Sequence, residues 1–170
     1  MTLAWKTLLT TLAASGAVAV SGPAAHPSLI WNATPSAPVG LYRVETEPRP
    51  ELKELVVVRP PDDLVWFLAE GGYLPRGVPL LKRIAALGGQ RVCRVRYAVS
   101  VDGVPLGEAL ARDHLGRPLP SWSGCVVLTR DQVFLFNADR PDSLDGRYFG
   151  PLARGTIVGR AKPIWADGER

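Results

Sequence analysis

The chain has 170 residues, 46% of them hydrophobic, which is enough for one globular unit with its own core plus a targeting segment and too little for several domains. Its 20 basic and 16 acidic residues leave a formal charge of +4, but Arg83, Arg91, Arg94, Arg96, Arg112 and Arg117 lie scattered, with acids between many of them. No helix-turn-helix, RNA-binding signature or zinc knuckle accompanies them, so nucleic acid is excluded as a partner, and 17 glycines with 16 prolines favour strands and turns over long helices.

Residues 7–25, TLLTTLAASGAVAVSGPAA, are 19 positions without a charge. As a helix rising ~1.5 Å per residue they nearly cross a hydrocarbon core ~30 Å thick, which predicts one N-terminal membrane anchor over residues 1–25. Gly16, Gly22, Pro23 and several hydroxyl residues weaken the run, and a secretory signal cut near Ala24 and Ala25 is the competing reading. Lys6 keeps the short N-terminal side in the cytoplasm, which sends residues 26–170 across the membrane as a single domain, with membrane lipid as a partner of the chain. Cys93 and Cys125 suit one disulfide in an oxidising compartment, the alternative being two buried free thiols. His26, His114, Cys93 and Cys125 show no ligand-pair spacing, so neither a metal nor another cofactor is expected.

The stretch HPSLIWNATPSAPVG that follows cannot be helical through Pro27, Pro35 and Pro38, and is expected to be extended or turning. GLYRVE, 40–45, and ELVVVRPP, 54–61, read as strands, the second a buried β-branched run stopped by its prolines. Asp62 and Asp63 are expected to cap a short helix through Glu70, with Leu64, Phe67 and Leu68 as its buried stripe; Trp66 and Phe67 would either join the core or touch lipid. VPLLKRIAAL, 78–87, and RVCRVRYAVSV, 91–101, are the next strands, the second with Cys93, Val95, Tyr97, Val99 and Val101 alternating on one face. VDGVPL is a hairpin tip, 103–124 a polar excursion, and CVVLT, QVFLFNAD and TIVGRAKPIW complete a mostly β chain.

Neither histidine has the surroundings of a catalytic base: His26 sits where the anchor ends and His114 lies in the excursion. Lys82 stands among Leu80, Leu81, Ile84, Ala85 and Ala86, where a lysine is either an edge-strand gatekeeper or a desolvated amine. A free lysine, pKa ~10.4, is almost wholly protonated at pH 7, so a basic role requires burial to lower that value. Ser36, between Pro35 and Pro38, is a hydroxyl on a restrained loop and a candidate nucleophile, the bland alternative being a proline-rich turn. Thr34 could join the Ser36 amide in an oxyanion hole, while Asn32-Ala33-Thr34 also spells a glycosylation acceptor.

NATPSAPVGLY, VVVRPP, PLLKRIAALGG, VCR and DSLDGRYFGPL with IVGRA occur in an order that resembles the bacterial type I signal peptidases, and within them the conjugative-transfer (TraF-type) branch. The similarity covers most of residues 28–164. It implies an antiparallel β domain with short helices, preceded by one transmembrane helix in the bacterial inner membrane and facing the periplasm. It implies a serine endopeptidase in which Ser36 acylates, Lys82 is the neutral-amine base and Thr34 and Ser36 form the oxyanion hole. Ser143 matches the serine that orients the lysine, and Asp145 and Arg147 match a supporting ion pair. The implied substrate is an exported precursor, a pilin or other conjugation protein, with small residues before the cut and an acyl-enzyme opened by water or by the substrate's own amine to give a cyclic product. Gly88-Gly89-Gln90 and Asp145-Gly146-Arg147 depart from the usual Pro-Gly-Asp and Asp-Ser-Arg. A general signal peptidase and a non-catalytic membrane-anchored assembly subunit are the alternative functions; a self-cleaving Ser-Lys repressor would need a DNA-binding module where the apolar anchor stands.

Overall fold

The computed structural model describes residues 29–46 and 49–167. The expected anchor over residues 1–25 and His26 lie outside them, and no described helix is long and apolar enough to cross a membrane. The elements are β1 (Leu29–Asn32), β2 (Gly40–Glu45), β3 (Leu55–Val58), helix α1 (Asp62–Glu70), β4 (Leu80–Leu87), β5 (Arg91–Val95), β6 (Ala98–Val101), β7 (Val104–Glu108), β8 (Gly124–Val127), β9 (Gln132–Leu135), helix α2 (Gly146–Phe149), β10 (Leu152–Ala153) and β11 (Ile157–Ala166). They build a seven-stranded sheet, β1-β2-β11-β3-β4-β9-β10, and a four-stranded one, β7-β6-β5-β8, with antiparallel pairing throughout. The mostly β expectation is met.

The strand period of two gives the large sheet two apolar faces. Val56 and Val58 of β3 join Leu80 and Ile84 of β4 under Leu64 and Leu68 of α1, while Leu55, Val57 and Leu81 face Tyr42, Ala37 and Ala161. A third cluster, Val92, Val99 and Val101 with Ala86, Phe134 and Phe136, joins the two sheets. β4 lies between β3 and β9, so Lys82 is in the interior of a sheet and is not an edge gatekeeper.

The stretch after residue 26 is extended and then turning, as expected, and its extended part is β1, which pairs with β2 from Leu29↔Arg43 to Asn32↔Gly40. Three local expectations change. The helix has the expected bounds, but Pro61 is its N-cap and no side chain caps it; Asp62 and Asp63 lie in the first turn, where their charge still suits the helix dipole. The run 91–101 folds back at Arg96 and Tyr97, with Arg96 at φ 57°, so Val92↔Val101 and Arg94↔Val99 face inward and Val95 and Tyr97 outward. A two-residue turn had mimicked uninterrupted alternation. Lastly, Asp102 and Gly103 both take positive φ, as a tight hairpin requires, and the chain returns as β7 inside the expected polar excursion. Phe67 packs on Phe149 and Tyr73, whereas Trp66 is half exposed under the guanidinium of Arg76.

Candidate active site

On β4, Leu80, Lys82 and Ile84 project to the same side by alternation, so the amine of Lys82 emerges among the side chains that pack beneath α1. Lys82 is 2% exposed, and its Nζ donates to Ser143 Oγ at 2.8 Å. Burial is the main cause that lowers its pKa, to about 8; Arg147 adds to the lowering, and Asp145 and Asp142 oppose it. About one amine in ten is then neutral at pH 7, against about one in several thousand for free lysine.

Between β1 and β2 the chain turns around the side chain of Asn32. Its Nδ2 donates to the carbonyls of Thr34, Ala37 and Pro38 at 2.9–3.0 Å, and its Oδ1 accepts from the Thr34 amide at 3.1 Å and the Thr34 hydroxyl at 2.9 Å. Three acceptors on one end and two donors on the other leave only one orientation for this amide. Thr34 Oγ1 stands 3.2 Å from Ser36 Oγ, and because the Thr34 proton goes to Asn32, the Ser36 hydroxyl is the donor between them. Asn32 is buried and fully bonded, so the Asn-Ala-Thr sequence is a fold element and not an accessible glycan acceptor.

The third part of the site is the segment from Asn137 to Arg147, a loop that runs into α2. Asp145 and Arg147 form a buried pair at 2.9 Å, and Arg147 also donates to the carbonyls of Asn137, Arg140 and Pro141 at 2.8–2.9 Å. Those bonds fix the loop that carries Ser143, whose amide closes on the Arg140 carbonyl at 3.1 Å. The departures from the family pattern have local reasons. A Cβ on Gly146 would come within 2.6 Å of the Leu135 carbonyl and the Phe134 ring, so serine cannot stand there. Gly88 is equally tight, at 2.7 Å from the Thr129 carbonyl, and Gln90 closes that turn through the Leu87 amide at 3.0 Å.

Thr34, Ser36, Lys82 and Ser143 line one cavity of about 530 Å³, walled by Leu68 of α1, by Tyr73 and Leu74 after it, by Leu144, and by Leu110 and Leu119 of the excursion. The excursion is latched to the turn that follows α1: the Tyr73 hydroxyl donates to Asp113 at 2.6 Å, and Arg117 bonds both Asp113 and the Gly71 carbonyl. These bonds hold the Asp113 carboxyl far below the usual range despite its desolvation. His114 lies exposed on the cavity rim, away from the hydrogen bonds that hold Ser36 and Lys82. Cys93 and Cys125 are bonded, facing each other across β5 and β8 in the small sheet.

Six expected residues, Thr34, Ser36, Lys82, Ser143, Asp145 and Arg147, therefore meet around this cavity or directly support it. Two asparagines were not foreseen in these roles. Asn32, two residues before Thr34 in a proline-rich turn, has the position of an Asx-turn residue, which is a readable signal. Asn137 carries no such signal, since its partners are distant in sequence.

The family described as "Signal peptidase, peptidase S26" matches residues 2–166. The chain is 41% identical over 143 residues to a probable conjugal transfer protein TraF of Sinorhizobium fredii, covering 78% of this chain and 74% of that one. It is 34% identical over 143 residues to a plasmid transfer protein TraF of Escherichia coli, covering 78% and 80%. A solved signal peptidase I of Enterococcus faecalis aligns with a TM-score of 0.40 at 17% identity, over 68% of this chain and 98% of that one. With a family match over nearly its whole length and relatives at this identity, the chain belongs to the signal peptidase family, in the branch of the TraF transfer proteins.

Proposed function

We propose that the protein is a membrane-anchored serine endopeptidase in which Ser36 is the acylating nucleophile and Lys82 its general base, and that it removes the leader or propeptide of an exported precursor. The observation that carries this reading is the dry Lys82 amine, its pKa lowered to about 8, held by Ser143 in the cavity that Ser36 also lines. The transfer-protein names of the relatives support a pilin or another conjugation protein as the precursor.

In the proposed reaction the Ser36 hydroxyl turns from Thr34 toward Lys82, its proton passes to Nζ, and Oγ bonds to the scissile carbonyl carbon. The Ser36 amide and the Thr34 hydroxyl, released from Asn32, stabilise the oxyanion. Protonated Lys82 then gives its proton to the departing amine as the C–N bond breaks. A water, or an amine of the substrate itself, opens the acyl-enzyme with Lys82 again as base; the mass of the product, with or without one added water, distinguishes linear from cyclic.

Attachment to lipid belongs to the same proposal. The uncharged run 7–25 ends shortly before β1, whose exposed Trp31 stacks on exposed Trp165 of β11 at 5.8 Å, both opposite Leu41 in the register. Exposed Leu29 and Ile164 lie near them, and exposed Arg43 adds positive charge, while Lys162 is paired with Glu45 at 2.9 Å, a composition suited to a headgroup interface. The disulfide suits the periplasmic side.

The test is cleavage of a precursor peptide by the purified full chain, together with labelling by a serine-directed acylating probe. Ser36→Ala and Lys82→Ala are each expected to abolish cleavage in a folded protein, and Ser36→Ala to abolish labelling. Full activity in either variant refutes the mechanism; a folded parent protein that neither cleaves nor labels supports the assembly-subunit alternative.

A further inference from the structure

The ladder between β4 and β9 ends beside the active site. Register runs through Ile84↔Leu135, and the last main-chain bond is from the Phe136 amide to the Arg83 carbonyl at 2.9 Å. There the chain leaves the sheet toward Asp145. The Arg83 amide and the Leu81 carbonyl, one on each side of Lys82, would lose their partners on this edge. The side chain of Asn137 supplies them: Oδ1 accepts from the Arg83 amide at 2.9 Å, and Nδ2 donates to the Leu81 carbonyl at 3.3 Å. A carboxamide has the donor and acceptor of a peptide group, so it extends the ladder by one step where the main chain has gone.

The same Nδ2 also donates to the carbonyl of Ser36. Asn137 is itself immobilised, with its amide on Asp145 Oδ2 at 3.0 Å, its carbonyl on Arg147 Nη2 at 2.8 Å, and 5% of its surface exposed. One planar group thus grips the main chain on both sides of the base and the main chain of the nucleophile. We infer that Asn137 is a positioning residue that holds the Ser36 backbone at a fixed place relative to Lys82. This inference rests on the Ser36–Lys82 reading above, and it assigns Asn137 no contact with substrate.

Asn137→Asp and Asn137→Ala in the full chain test it. Asp keeps size and the acceptor for Arg83 but loses the donor to Ser36 and Leu81; Ala loses both. Misplacing the reacting atoms is expected to lower kcat, normalised to folded protein by circular dichroism, by about 10- to 100-fold in both variants, with KM within about twofold. Acylation by a small serine-directed probe should slow by a similar factor. The added carboxylate in Asn137→Asp should also move the rise of rate with pH upward, while Asn137→Ala leaves it near the Lys82 value of about 8. Normalised kcat and probe rate within about twofold of the parent in a folded variant overturn the inference, since a bolt that only stabilises the fold leaves them unmoved. If Asn137→Ala does not fold, Asn137→Asp decides; failure of both to fold makes Asn137 a folding residue and also overturns it. Labelling of Ser36→Ala protein would instead sink the nucleophile reading, a result separate from either.

Discussion

A lysine amine buried under a sheet opposes folding whenever it carries its proton. Lys82 titrates near 8 in the folded protein and near 10.4 unfolded, so the unfolded chain holds more protons between those values and stability rises with pH across that window. Below about pH 8 the full penalty, about 3 kcal/mol, is present. Lys82→Met is therefore expected to abolish turnover and yet raise the unfolding free energy at pH 6–7 by up to about 3 kcal/mol, less whatever the bond to Ser143 contributes, with the gain shrinking toward pH 10. Urea denaturation of parent and variant at several pH values checks it. In the parent, kcat/KM should climb through about pH 8 and level above it; a rate flat from pH 6 to 10 in a chemistry-limited assay would remove the lysine base. Thr34→Val should lower kcat by about 10²-fold, less than loss of Ser36 or Lys82, because the Ser36 amide remains as an oxyanion donor. Lys82 could be read from the sequence because its apolar neighbours and its charge conflict. Asn137 could not, because every partner of its side chain is distant in sequence and only the end of a strand ladder creates the need for it.

Among the elements, the Asn137–Arg147 segment is held chiefly by one ion pair. Asp145 accepts from Arg147 Nε, Nη2 and amide and from the Asn137 amide, so Asp145→Ala leaves a buried guanidinium unpaired. A loss of about 3–5 kcal/mol in unfolding free energy is expected, measured by urea denaturation. In the small sheet, reduction of Cys93–Cys125, 32 residues apart, should cost about 3–4 kcal/mol on the chain-entropy account, read as a lowered Tm. Strands with strong β-branched patterns, such as Leu55–Val58, were legible in full, since burial on both faces needs an unbroken apolar run. The break at Arg96 was not, because a two-residue turn preserves the even spacing of apolar residues while reversing the chain. β1 and β7 were hidden for a different reason: β7 is short and almost wholly exposed, and β1, though it opens on Leu-Ile-Trp, is only four residues long and stands between prolines.

For the whole molecule, the Trp31–Trp165 face gives the proposed lipid attachment a direct measure. In a Trp5→Phe background reconstituted in vesicles, brominated lipids are expected to quench tryptophan fluorescence, and replacing both Trp31 and Trp165 by Phe should remove most of that quenching. Unchanged quenching would turn this face away from the bilayer. The cavity, meanwhile, is built from parts of unequal attachment. Its floor belongs to a central sheet strand whose main chain is bonded on both edges, whereas much of its wall is a loop fastened to the turn after α1 chiefly through Asp113 and its two partners. Under the proposed function, transplanting the stretch from Leu110 to Leu119 from a sister protein is therefore expected to change which precursor is accepted while Ser36 and Lys82 stay where they stand, as cleavage of a panel of precursor peptides would show.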